Sequence, residues 1–319
     1  MEFRILNTII ILVISLYFTS CQKEIKLDLP EYEPRFVVDG KIETGLPPFI
    51  LLTTTKNIFA PADLDTLFGS YIDDAIVEIS DGSVTDTLQQ ICTDEIPKEL
   101  EEAASIFFGI PKELMSKYHL CAYSTLNPLF IGTPGKTYSI KINYQGKTYR
   151  SSTKIESPVA FDSLYWKPEN SIKDYGLIYA DIKDPASQQN NYYWEVLRLK
   201  NDKYGNNVDM KFYKTRNPTF DDQFFNGLPF SFFYENPRSR FDETIPEEYR
   251  GYYQRGDTVL VKFSTIGRNE YTYYRKKHSQ LNSAGSPFAS PINIPSNISN
   301  NALGIWAGFS TTYQLLICR

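Results

Sequence analysis

Tyr138-Ser139-Ile140-Lys141-Ile142-Asn143-Tyr144-Gln145-Gly146-Lys147-Thr148-Tyr149-Arg150-Ser151-Ser152-Thr153 reads as two strands and a turn. Tyr138, Ile140, Ile142 and Tyr144 alternate with polar residues, the period of a strand with one buried face. Gln145-Gly146 is a hairpin-type turn, and residues 147–153 return. The same pattern extends upstream. Residues 35–43 begin the series, Pro47-Pro48 interrupts it before residues 49–55, and residues 74–80 alternate up to the Asp81-Gly82 turn. Short strands with turn signals at this spacing indicate an antiparallel sandwich. Beyond a joint at Glu156-Ser157-Pro158-Val159, further strands are expected over residues 161–166, 177–182, 192–199 and 258–264. Residues 201–256, rich in Asn, Asp, Phe, Tyr and turn formers, are expected to form long loops. Tyr271, Tyr274, His278 and Leu281 recur at helical spacing and predict one amphipathic helix. The Asn- and Ser-rich residues 282–301 read as a loop, and residues 305–317 as closing strand.

The expected fold class is therefore mainly β, with two β-sandwich-like domains. An Ig-like N-terminal sandwich covers residues 34–157, and a β-rich domain with long loops covers residues 158–319. A short helical excursion belongs to the first and the amphipathic helix to the second. A chain of 319 residues fits roughly two domains of ordinary size. With 42% hydrophobic and 22% charged residues it has enough apolar surface to fold. Lys plus Arg number 33 against 38 Asp plus Glu, a net charge of −5. An acidic chain without a basic stripe is a poor polyanion ligand, so nucleic acid is excluded as a partner.

Residues 1–20 have the order of a secretory leader: Arg4 near the start, an apolar run from Ile9 to Phe18, then Thr19-Ser20 before Cys21. The run is shorter than the roughly 20 residues that span a bilayer, and charged Lys23 and Glu24 follow at once. A cysteine directly after Phe18-Thr19-Ser20 resembles a bacterial lipobox, with Phe18 in place of the usual Leu. Cleavage before Cys21 and lipid on its sulfur would leave residues 21–33 as a tether held by several acyl chains. Three cysteines remain, and Cys92 and Cys121 bracket the excursion carrying Glu99, Glu101 and Glu102. Export places them in an oxidising compartment, so they are the disulfide candidate and Cys318 is left over. The alternative is three small buried hydrophobes.

Several segments together resemble the Bacteroidota lipoprotein family called domain of unknown function 4249. They are the lipid-type cysteine with Leu27-Asp28-Leu29-Pro30, Phe36-Val37-Val38-Asp39-Gly40, Asp74-Ala75-Ile76-Val77-Glu78-Ile79 and Pro134-Gly135-Lys136-Thr137-Tyr138. The most specific is the closing Ser296-Asn297-Ile298-Ser299-Asn300-Asn301-Ala302-Leu303-Gly304-Ile305-Trp306-Ala307-Gly308-Phe309. The resemblance implies an outer-membrane lipoprotein working beside a TonB-dependent transporter, and it brings no catalytic residues. Gln22-Lys23-Glu24 is similar to the export signal that sends such lipoproteins to the outer leaflet, facing the cell exterior; an ordinary charged tether is the alternative. Four Asp-Ser/Thr-apolar tripeptides resemble an O-glycosylation sequon and nominate Thr66, Thr87, Ser163 and Thr258.

No motif spells out a reaction. The two histidines, His119 and His278, lie outside any zinc-type spacing and read as structural. Gly135-Lys136-Thr137 and Gly146-Lys147-Thr148 lack the first glycine of a phosphate loop and read as hairpin turns. Asp63-Leu64-Asp65 begins like a calcium loop, but Leu67 and Phe68 replace the next ligand and the turn glycine. The pairs Asp73-Asp74, Asp221-Asp222 and Glu247-Glu248 read as solvated surface. The expectation is thus a non-enzyme without cofactor or metal, an accessory or ligand-capture lipoprotein. A structural or adhesive glycosylated envelope protein is the alternative. Phe224, Phe225, Phe230, Phe232, Phe233 and Tyr234, around the Asn226-Gly227 and Pro229 turns, are the contact candidates. Either their rings stand on a loop to meet a sugar or a partner, or they pack beneath it.

Overall fold

The structure is a computed structural model and describes residues 32–57, 63–186, 188–200, 209, 211–283 and 290–319. The leader, Cys21 and the Gln22-Lys23-Glu24 signal lie outside the described residues. The fold is mainly β and sandwich-like, as the alternation requires. The hairpin of β7 (Thr137–Tyr144) and β8 (Lys147–Lys154) pairs in the expected register. Its two turn residues, Gln145 and Gly146, both take positive φ (47° and 72°), which matches the right-handed twist of the flanking strands. With β3 (Ile76–Ser80) and β4 (Thr85–Thr87) they make one four-stranded sheet.

The larger sheet differs from the expected division into two domains. It has eight strands in the order β12-β11-β15-β16-β1-β2-β6-β5. Four come from the first half: β1 (Phe36–Glu43), β2 (Phe49–Thr54), β5 (Gln89–Cys92) and β6 (Cys121–Ser124). Four come from the second: β11 (Asn191–Lys200), β12 (Tyr213–Asp221), β15 (Thr258–Ile266) and β16 (Leu303–Ile317). The halves are joined by β1 and β16, which run parallel with Gly40 opposite Trp306. Residues 34–319 accordingly form one compact unit, crossed by the sheet at the boundary expected near residue 157.

Two cores nevertheless persist, both on one face of this sheet. Under the β3-β4-β7-β8 sheet, Val38, Ile42, Ile50, Leu52 and Trp306 meet Val77, Tyr138 and Ile142. The indole N–H of Trp306 donates to the Tyr138 carbonyl at 2.9 Å, so burying this polar atom leaves it satisfied. Beside it lies a sheet of β9 (Phe161–Pro168), β10 (Tyr175–Lys183), β13 (Pro229–Tyr234) and the two-residue β14 (Tyr253–Gln254). Its Ile178, Ala180 and Ile182 pack on Trp194, Val261 and Phe263.

β12, β13 and β14 all fall where long loops were expected. Phe230, Phe232 and Tyr234 alternate, and Pro229, which has no N–H for a ladder, sits at the first position of its strand, where proline is tolerated. The opposite face of the large sheet carries the helices. α4 (Arg268–Ser283) packs Tyr271, Tyr274 and His278 inward, although Leu281 points outward. The excursion supplies α2 (Glu101–Phe108) and α3 (Lys112–Met115), whose Phe108 and Met115 cover Phe49 and Ala122. A disulfide closes that excursion: Cys92 and Cys121 face each other in register, with S–S 2.01 Å. Cys318 is buried and lies outside the disulfide.

Candidate functional site

The helix-bearing face holds a pocket of about 410 Å³. Its floor is the sheet itself: Lys41 and Glu43 from β1, Glu195 from β11, Lys262 from β15 and Phe309 from β16. Tyr274 and Lys277 of α4 form one wall, and Phe108 of α2 another. Lys211 and Phe212, leading into β12, and Lys214 at its start form the rim.

The floor is charged because strand alternation puts it there. Lys262 lies directly opposite Glu195 on one side and Tyr313 on the other. Glu43 reaches the same point from β1, so one ammonium sits between two carboxylates, 2.8 Å from Glu43 and 3.3 Å from Glu195. Tyr313 adds a hydrogen bond to the other oxygen of Glu43. All three charged residues are buried. Burial alone would raise the Glu43 carboxyl, but Lys262 outweighs it and holds Glu43 below the usual range. Burial likewise opposes the Lys262 charge, and the two glutamates reverse that and raise it. Lys262 is thus ion-paired on both sides.

The remaining cations are not. Among the described residues, no carboxylate lies within ion-pairing distance of Lys41, Lys211 or Lys214, while Lys277 approaches Asp39 only at 3.9 Å. Lys41 is half-buried, with its Nζ 5.6 Å from the centre of the Phe49 ring. Its pKa is lowered, first by burial and then by Lys262. Five lysines and three carboxylates line the pocket, leaving it locally positive in a chain of net charge −5.

None of these residues was singled out by sequence reasoning, although a signal existed. In Tyr192-Tyr193-Trp194-Glu195-Val196-Leu197 and Val259-Leu260-Val261-Lys262-Phe263 a lone charge interrupts an apolar run. Such a run is buried on both faces, so the charge must meet a partner.

The aromatic contact candidates divide by alternation. Phe225 is 7% exposed and stacks on Phe230 at 3.9 Å; Phe230, Phe232 and Tyr234 pack on the second core. Only Phe224, 89% exposed beside the Gly227 turn, and Phe233, 52% exposed, face outward. Phe233 continues a surface row with Tyr179 and Tyr165 across β13, β10 and β9.

His119 stands at the exposed edge of the disulfide. Its Nδ1 is 2.9 Å from Asp94, which raises its pKa, and its Nε2 is 3.2 Å from the Cys121 sulfur. Cys92, His119 and Cys121 are close enough to share a metal ion, yet the two sulfurs are bonded to each other and leave the imidazole as the sole donor. His278 is buried against Tyr193 and Tyr274. Asp63 is the N-cap of α1 (Leu64–Phe68), accepting from the Thr66 N–H at 2.7 Å. That explains its acidic character without calcium. Asp222 is buried and accepts from the Asn190 N–H, whereas Asp221 pairs with Arg268, so this carboxylate pair is divided between core and surface. Of the sequon residues, Thr87 is exposed on edge strand β4. Thr66, Ser163 and Thr258 are half-buried, and the Ser163 hydroxyl is engaged with Asp181.

Among the described residues no helix is long and apolar enough to cross a membrane. The closing segment builds the joint between the halves. Asn300 and Asn301 take left-handed φ of 57° and 58°, the Asn297 side chain holds both backbone polar groups of Trp306, and Gly304 at φ 96° lies against Val38. A side chain on Gly40 would meet the Trp306 ring at 2.9 Å, so two distant sequence motifs are one packing unit. The profile of a family described as "Domain of unknown function (DUF4249)" matches residues 22–314. No curated protein matches the chain.

Proposed function

The chain belongs to the DUF4249 family, and from that premise we propose that it is a lipid-anchored outer-membrane protein that captures a ligand for a TonB-dependent transporter without transforming it. The observation that carries this reading is the pocket, a concave site of ligand size built on the large sheet and walled by α2 and α4. The anchor is Cys21, with Lys23 and Glu24 directing the chain to the outer leaflet, and Thr87 is the sequon whose geometry best admits a glycan. Cys21 lies ahead of the first described residue, Tyr32, and the intervening chain is the tether.

Affinity purification from native membranes in mild detergent tests the reading, with mass spectrometry of the recovered proteins. A transporter barrel recovered with the wild-type chain, and lost when Cys21→Ala releases the chain from the membrane, is the expected result. Recovery of the anchored chain without any barrel would favour a structural envelope role instead.

A further inference from the structure

The charge and shape of the pocket point to the class of ligand. We propose that it binds an amphiphilic anion: a flat apolar body lying against Phe49, Phe108 and Phe212, with one carboxylate or phosphate received by Lys41 and the rim lysines Lys211 and Lys214. This deepens the capture reading and rests on it for biological meaning, though not for the binding itself.

Three observations converge. First, the Lys262 ammonium is held by Glu43 and Glu195, and the four other lysines still outnumber Asp39 and the surplus carboxylate of that cluster by two. Second, Lys41 is a partly desolvated ammonium with no ion pair among the described residues, and burial already depresses its pKa. An incoming anion would restore the interaction that burial removes. Third, aromatic rings border the pocket on several sides: Phe49, Phe108, Phe212 and Phe309 line it, the Phe212 ring 5.4 Å and the Phe309 ring 6.0 Å from the Lys262 ammonium. A neutral apolar ligand would leave the lysines uncompensated, and a cation would meet them as like charges.

Lysine is a compact point charge without the planar fork of arginine, so the site has no means to prefer carboxylate geometry over phosphate. The pocket volume falls within the range typical of small-molecule sites. In an acidic chain, a locally positive cleft walled by protein also focuses the field on an approaching anion.

Titration calorimetry of the folded chain separates the possibilities, using 2-naphthoate, 2-naphthyl phosphate, 2-naphthamide and 2-naphthylmethylammonium as probes. Both anions should bind saturably, and the amide and the ammonium at least tenfold more weakly. Lys41→Met should weaken 2-naphthoate about tenfold, and the exposed Lys214→Met should weaken it two- to threefold, with unchanged melting temperature for the latter. Equal binding of amide and anion, preference for the ammonium, or no saturable binding of any probe overturns the assignment. If binding fails while a transporter is still recovered from membranes, the ligand class is wrong and the capture reading stands. If the anions bind and no transporter is found, the reverse holds.

Discussion

The two faces of the eight-stranded sheet differ in how completely they are covered and in the charge buried on them. On one face, two smaller sheets seal cores of Trp, Tyr, Phe and aliphatic residues, with the polar Trp306 N–H provided for. On the other, short helices cover only part of the surface and leave Lys262, Glu43 and Glu195 beneath a pocket. The strands are the same strands, and alternation sends Phe263 one way and Lys262 the other. Structural burial and site-forming burial therefore differ by one residue of register, and a one-residue slip would exchange them.

The sharpest break in this comparison comes from removing a large ring on the sealed face. Trp306→Ala should cost about 3–5 kcal/mol of unfolding free energy in urea titration, because the cavity opens beneath the β3-β4-β7-β8 sheet, over the β1–β16 pairing where the two halves join. A loss below 1 kcal/mol would mean the joint is not cooperative.

On the pocket face the cost has another origin. Lys262→Met should lose about 3–5 kcal/mol by stranding two buried carboxylates. Adding Glu43→Gln and Glu195→Gln should recover most of it, which no repair of a simple cavity would do. The single variant should also become more stable as pH falls through the carboxylate range, since protonation then relieves the stranded charges.

His278 sharpens the contrast through pH. Its pKa is pushed down to about 4, by burial first and then by Lys214 and Lys277. The folded state thus prefers neutral imidazole. That preference is fully present above the ordinary histidine pKa of about 6.5 and is lost as pH falls through 4, an effect of about 3 kcal/mol. Stability measured from pH 7 to 4 should therefore decline less steeply in His278→Gln than in the wild type, and parallel curves would show that His278 does not carry the effect. The smallest effect belongs to the surface: Phe224→Ala should change stability by less than about 0.5 kcal/mol. Phe225→Ala next to it, buried and stacked on Phe230, should cost several-fold more.

Much of this architecture was readable in advance, and the reasons divide cleanly. The β7–β8 hairpin is local: its register is fixed by alternation and a two-residue turn, so residues 138–153 suffice to read it. The pairing of β1 with β16 is not local, because parallel partners need no turn and Gly40 and Trp306 come together only in three dimensions. The chain consequently reads as two domains although its central sheet is shared. Strand β13 was hidden by its turn formers, Asn226-Gly227 and Pro229, which mark its entrance and not an extended loop. For Phe230, Phe232 and Tyr234 the sequence left open whether the rings stand on a loop or pack beneath it, and period two puts them on the core. The disulfide candidate was legible from the segment it brackets. The pocket was legible only as isolated charges in apolar strands, since Glu43, Glu195 and Lys262 converge from three strands far apart in the chain.

Hydrogen–deuterium exchange with and without 2-naphthoate addresses the functional difference between the faces most directly. Slower exchange confined to the pocket segments, residues 39–43, 49–51, 108–109, 193–195, 211–214, 262, 274–277 and 309, is the expected result, with the sheet formed by β3, β4, β7 and β8 unchanged. Protection on that covering sheet, or none in the pocket segments at saturating probe, would contradict the assignment of the helix-bearing face as the binding face.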